Sequence, residues 1–250
     1  MLITTSQDPQ ALSNSYVVGD RVGGQAVLID GGTACAPIHK GIADQSLRPS
    51  HLFVTHRHPD HIQFIGEYAQ RYGIPICGHR LEAEACGGFD LELEGGEIFQ
   101  CGELRVQALH IPGHTAGHIA VFVEHGDERA LFPADTLFKG TVGGTRGVGN
   151  TGFADLRNSI LNVLLQLPGD TRIYPGHAGP STVSFERKEN PYVRAWTAEE
   201  LPAAQAGTFR GEALELLLRG PDYDGGTKCW VRWPDTGLFD VLPGSRVSSL

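Results

Sequence analysis

A chain of 250 residues with 40% hydrophobic content can bury a full-sized core, and such a length suits one β-rich main domain. Its formal charge of −9 argues against non-specific nucleic-acid binding, which depends on Lys and Arg neutralising phosphates. No run approaches the roughly 18 to 20 apolar residues of a membrane span. Met1–Ser6 lacks the basic segment and apolar core of a leader, and the five cysteines form no C-x-x-C pair, so free thiols in a reducing cytoplasm are expected.

In chain order, Asn14–Val18 and Gln25–Ile29 read as paired strands, the second ending at Asp30 before Gly31-Gly32. A helix is expected over Pro37–Leu47. The apolar run Leu52-Phe53-Val54 then feeds His56-Arg57-His58-Pro59-Asp60-His61, which packs three histidines and an aspartate into six residues. Imidazole nitrogen and carboxylate oxygen ligate zinc, iron and manganese, so this reads as a metal-binding loop at a strand end. Pro59 favours a helix start, and Ile62, Ile65 and Tyr68 sit at helical spacing, predicting an amphipathic helix over Pro59–Tyr72.

Three further segments share that design, each placing a ligand-type residue after a strand-like run and among Gly or Pro. They are Leu109 to His118 with His114, Ala130 to Phe138 with Asp135, and Arg172 to His177. Strands are expected near Leu104–Leu109, Ile119–Glu124, Ala130–Phe132 and Arg172–Tyr174, and a helix over Leu156–Leu167. A glycine-rich loop runs from Gly140 to Gly149. In the tail, Trp196–Gln205 is expected to be helical, and Cys229–Trp233 with Leu238–Val241 reads as a hairpin around Pro234-Asp235-Thr236-Gly237.

The order and local sequence of the four ligand segments resemble the metallo-β-lactamase superfamily over about residues 14 to 195. The resemblance implies an α/β fold, a four-layer αββα sandwich of two face-to-face β-sheets with helices outside. Residues 1–195 would form the catalytic domain and 196–250 a short β-rich extension packed on it. It also implies two divalent metal ions, zinc in the first place, with iron or manganese as alternatives. His56, His58 and His114 match the ligands of one site, Asp60, His61 and His177 those of the second, and Asp135 the carboxylate bridging them. Asp30 matches an aspartate that supports the metal loops; the alternative is a turn aspartate. His39, His51, His79, His110, His118 and His125 are read as non-ligands.

Pro175-Gly176-His177-Ala178-Gly179-Pro180-Ser181-Thr182, Glu186 to Tyr192 and Ala134-Asp135-Thr136-Leu137-Phe138 resemble the glyoxalase II group, which hydrolyses glutathione thioesters. The implied reaction is metal-dependent hydrolysis of a thioester or other small acyl ester by a hydroxide held between two ions. Asp60 would orient that hydroxide or pass a proton. Where the family presents a Gly-Arg or Gly-Lys pair after the bridging aspartate, this chain has Gly144, which leaves Arg146 as the candidate anion-binding group; the alternative is a solvated loop arginine. The competing class is a persulfide dioxygenase with one iron on His56, His114 and Asp135, and a non-catalytic metal-binding protein is the third. The expected partner is a small-molecule substrate, with neither nucleic acid nor membrane. Oligomeric state does not follow from the sequence.

Overall fold

In the computed structural model, which describes residues 1–249, strand alternation sorts the apolar side chains into layers. Val18, Val27, Ile29 and Phe53 point one way from the first sheet and Val17, Leu28, Leu52 and Val54 the other. That sheet has six strands in the spatial order Leu2–Gln7, Asn14–Gly19, Gln25–Ile29, Arg48–Val54, Ile76–His79 and Leu91–Leu93. The second runs Ser181–Thr182, Arg172–Pro175, Glu128–Ala134, Ile119–His125, Leu104–His110 and Ile98–Cys101.

The inner faces meet in a core of Tyr16, Val18, Ile29 and Phe53 against Val106, Ile119, Val121 and Phe132. Helices Cys35–Asp44 and Ile65–Tyr72 cover the outer face of the first sheet through Ile38, Ile42 and Tyr68. Leu156, Ile160, Leu164, Tyr192 and Trp196 cover that of the second. These are the four αββα layers. Near-continuous apolar strands such as Ile119–Val123, buried throughout, suit a sheet covered on both faces.

A third sheet, ordered Phe239–Pro243, Thr227–Arg232, Glu212–Pro221, Gln205–Phe209 and Val247–Ser249, makes up most of the tail. One face adds Leu217, Trp230 and Val241 to the cluster over the second sheet. The other gathers Phe209, Leu216, Val231, Trp233 and Leu242 into a small core of its own. Among the described residues no helix is long and apolar enough to cross a membrane.

The helix expected over Pro37–Leu47 lies at Cys35–Asp44, and the one expected over Leu156–Leu167 is a helix Phe153–Asn158 continued by a π turn Ser159–Val163 and a 3-10 turn Leu164–Gln166; two others differ more. Pro59–Tyr72 is split into Pro59–Ile62 and Ile65–Tyr72. The Phe64 amide leaves the helical ladder to donate to the Gly31 carbonyl at 2.6 Å, because the Gly31-Gly32 loop is wedged against this turn. At Gly32 a Cβ would stand 1.5 Å from the Asp60 carbonyl oxygen. The helix expected over Trp196–Gln205 instead spans Pro191–Thr197, capped by the Asn190 side chain on the amides of Tyr192 and Val193. Pro202 would fall inside the expected helix, where it lacks an amide to donate and clashes with the preceding turn. The hairpin of the tail does form, with Lys228–Arg232 paired to Phe239–Pro243.

Candidate metal centre

Each ligand-type residue follows the end of a strand or the start of a short helix, and the layers bring those ends together. His56 and His58 follow Arg48–Val54, His114 follows Leu104–His110, Asp135 follows Glu128–Ala134, and His177 follows Arg172–Pro175. Asp60 and His61 lie in the Pro59–Ile62 turn.

His56, His58, His114 and Asp135 form one cluster whose donor atoms all lie within 4.8 Å of one another. His58 Nδ1 is 3.1 Å from His56 Nε2 and 3.0 Å from His114 Nε2. Asp135 Oδ2 is 3.6 Å from His114 Nε2 and 3.9 Å from His56 Nε2. Tetrahedral donors bound to one ion at 2.0–2.1 Å stand roughly 3.3 Å apart, so this spacing fits a metal.

Asp60, His61 and His177 form the second cluster. Asp60 Oδ2 lies 3.7 Å from His61 Nε2 and 3.5 Å from His177 Nε2. Asp135 reaches this group as well, 3.3 Å from each of those imidazole nitrogens. The seven residues named from the sequence therefore stand together, with Asp135 between two triads. His61 Nε2 and Asp135 Oδ1 are buried with no hydrogen-bond partner, and such orphaned atoms facing each other are what a cation would satisfy.

The far nitrogens of several rings are held by the protein, which decides which nitrogen faces the cleft. His114 Nδ1 donates to the Gly144 carbonyl at 3.0 Å, and His58 Nε2 to the Val148 carbonyl at 3.2 Å. His61 Nδ1 donates to Asp30 Oδ2 at 2.8 Å. Asp30 also accepts from the Thr55 amide at 2.8 Å and hydroxyl at 2.9 Å, just before His56. Its backbone is left-handed, at φ 58°, a conformation aspartate tolerates. The turn reading and the supporting reading of Asp30 thus describe one residue.

Burial drives the His56 imidazole well below its ordinary value, and the neighbouring His61 and His118 rings push the same way. Burial likewise holds His114 down to about 4 against the pull of Asp135. Burial would also neutralise His61 and Asp135, but charge attraction wins, from Asp135 and Asp30 at His61 and from His177 and then His61 at Asp135. His61 is held well above and Asp135 well below their ordinary values. Neutral His56 and His114 and an ionised Asp135 are in ligand form at neutral pH.

The expected non-ligands have other company. His118 is fully buried, stacked on His56 at 4.6 Å, and outside both clusters. His110 Nε2 donates to the Ala116 carbonyl and its ring stacks on His79. Cys35, His39 and Glu67 approach one another, but the His39 ring is already engaged by Tyr72 and Glu67. Arg146 is half exposed, bonded to Asp240 at 2.7 Å and placed over the Trp233 ring.

Several residues that position the site carry no motif. Asn14 Nδ2 donates to the carbonyls of Pro175 and Ala178, and the Tyr16 hydroxyl to that of Pro175, which ties the His177 turn to the first sheet. Buried Glu186 accepts from the Gly140 amide and from Asn190. Gly176 is required for space, since a Cβ there would lie 2.2 Å from Asp135 Oδ1. From the third sheet's turn, Tyr223 stacks on His177 at 4.2 Å, and Lys228 Nζ donates to the Val142 carbonyl at 2.7 Å. A polar residue in an apolar strand, as Asn14 is, was the one available signal among these.

Residues 9–177 match the family model of the metallo-beta-lactamase superfamily. A hydroxyacylglutathione hydrolase of Brucella anthropi is 31% identical, over 76% of this chain and 70% of its own. Among solved structures, ETHE1 from Myxococcus xanthus is 29% identical with a TM-score of 0.65, covering 77% of this chain and 84% of its own. TTHA1623, solved in a di-iron-bound form, is also 29% identical, with a TM-score of 0.61 over 77% of this chain and 100% of its own. The strand-end clusters, the four layers and these likenesses agree: the chain belongs to the metallo-beta-lactamase superfamily.

Proposed function

We propose that the protein is a metal-dependent hydrolase acting on a thioester or other small acyl ester, in the manner of the hydroxyacylglutathione hydrolases it resembles. The observation that carries this reading is Asp135 standing between two donor triads, one carboxylate oxygen of it buried and unpaired. His56, His58, His114 and Asp135 would hold one divalent ion, and Asp60, His61, His177 and Asp135 a second. TTHA1623, bound to two irons, supports a two-metal occupancy, and the nitrogen and oxygen donors suit zinc, iron or manganese. When bound, such a pair polarises an acyl oxygen and lowers the pKa of water towards about 7.

The chain's own groups do the rest. Asp30, Gly144 and Val148 fix the imidazole tautomers, so that the cleft is organised before substrate arrives. Asp60 has a side chain 32% exposed, against 10% for Asp135. It is the carboxylate that can take a proton from the attacking water and return it to the leaving thiolate. Water adds to the acyl carbon, the carbon–sulfur bond breaks, and acid and thiol leave. The substrate is a small molecule, and the free cysteines agree with a cytoplasmic setting.

A second reading has one observation of its own. His56, His114 and Asp135 alone form a two-histidine, one-carboxylate set, the arrangement of a mononuclear iron persulfide dioxygenase. Elemental analysis of protein purified without added metal, with S-lactoylglutathione turnover and persulfide-dependent oxygen uptake on the same sample, separates the two. Two metals per chain with thioester turnover is the expected result. One iron with oxygen uptake would replace the hydrolase by the dioxygenase.

A further inference from the structure

The third sheet and the glycine-rich loop enclose a cavity of about 370 Å³ beside the first cluster, with His114 in its wall. Arg146, Arg210 and Arg246 all line it, and none of its lining residues is acidic. Arg146 is partly neutralised by Asp240. Among the described residues Arg210 and Arg246 form neither an ion pair nor a side-chain hydrogen bond, and both are exposed. In a chain with a formal charge of −9, two uncompensated guanidinium groups against one cavity wall make a local positive field.

The backbone holds one of these cations in place at a cost. Arg210 and Gly211 form the two-residue turn between Gln205–Phe209 and Glu212–Pro221, with φ of 54° and 89°. Both central residues of such a turn are left-handed, positions that Gly, Asn and Asp fill readily and arginine does not. Non-glycine residues in that conformation collect at binding sites. The Arg210 guanidinium also lies over the ring of Phe209, 5.3 Å from its centre, and Phe209 lines the same cavity. Arg210 and Arg246 both fall outside the matched residues 9–177.

We propose that the cavity is an anion subsite in which Arg210 and Arg246 bind a carboxylate or phosphate of the substrate while its acyl group lies at the adjoining clusters. The C-terminal sheet thereby selects acidic esters or thioesters over neutral ones. Guanidinium matches the geometry of both anions through paired N–H donors. The proposal rests on the hydrolase reading and deepens it.

The test compares the wild-type holoenzyme with the Arg210→Gly, Arg246→Gln double variant. Glycine suits the turn, so the thermal midpoint should hold or rise, and a large fall would call for Arg210→Asn in its place. The substrates are matched acid and primary-amide pairs, with charge on the thiol half in 3-(acetylthio)propionate and on the acyl half in the mono-S-ethyl thioester of adipic acid. The wild type should prefer the acid in at least one pair. In the variant the acid-to-amide ratio of kcat/KM should fall tenfold or more, carried by KM. No preference in the wild type, or the same preference in both proteins, overturns the subsite. If neither protein turns over a thioester, calorimetric binding of the thioether 3-(propylthio)propionate decides the matter. Binding lost in the variant keeps the subsite and removes the thioester reading; binding equal in both proteins, or absent from both, removes the subsite.

Discussion

Two regions border the cleft, and they reach it by different means. Strand-end loops of the sandwich, with the short Pro59–Ile62 helix that follows one of them, supply all seven side chains of the two clusters, several wedged beside glycine. The C-terminal sheet supplies Tyr223, Lys228, Arg210 and Arg246 from turns and strands that show no motif, and it meets the sandwich through a shared core of Trp196, Leu217, Trp230 and Val241. Thr145 forms a polar tie between them. Its amide and hydroxyl bond the Val241 strand and Asp240, while Asp240 also accepts from Arg146 and Trp233. Chemistry that needs several ligands at fixed spacing leaves a local signature, whereas a wall that selects substrates needs only to arrive at the right place.

The comparison is broken most sharply from the sandwich side. Asp135→Asn weakens both triads at once, so metal content should fall below two per chain and turnover by roughly a thousandfold or more, read by elemental analysis and initial rates. Asp30→Asn leaves all seven donors but loosens His61 and Thr55. Metal affinity or activity should drop about 10- to 100-fold, measured by competition with a chelator.

Acid sharpens the same contrast. His56, His114 and His118 are held below the ordinary histidine value in the fold, chiefly by burial, His114 at about 4. The unfolded chain therefore takes up protons below about 6.5 that the folded chain refuses, and stability falls as pH drops from there towards 4. His61, held above that value, keeps its contribution throughout this window and loses it only as pH rises. The urea midpoint of metal-free protein should be lower at pH 5 than at pH 7, and an unchanged midpoint would contradict the buried, neutral state of these rings.

At the seam, Thr145→Val removes the bond to Asp240 and leaves the Val241 amide without its hydroxyl partner. About 1 to 3 kcal/mol of stability should be lost, together with a rise in KM as the glycine-rich loop parts from the third sheet. The smallest effect belongs to Ala134→Gly. Ala134 precedes Asp135 at φ 41°, and glycine relieves that conformation while adding unfolded-state entropy. A gain of at most about 1 kcal/mol is expected, measured by denaturant unfolding.

Through its resemblance to the family, the sequence alone carried the sandwich class and the seven residues that the structure gathers into two clusters, because ligand-type residues among glycine and proline at strand ends are short-range motifs that survive in one dimension. It also carried the hairpin of the tail, whose turn residues are local. Tertiary structure decided the remainder. The helix at Pro59 breaks because Gly31 of another loop claims the Phe64 amide, and the His177 turn is held by Asn14 and Tyr16 from more than 150 positions away. Arg210, Arg246 and Tyr223 meet the cleft only because an apolar face of the third sheet packs on the second sheet's helices. Burial of that face is non-directional and leaves no pattern saying which polar residues will be carried to the site.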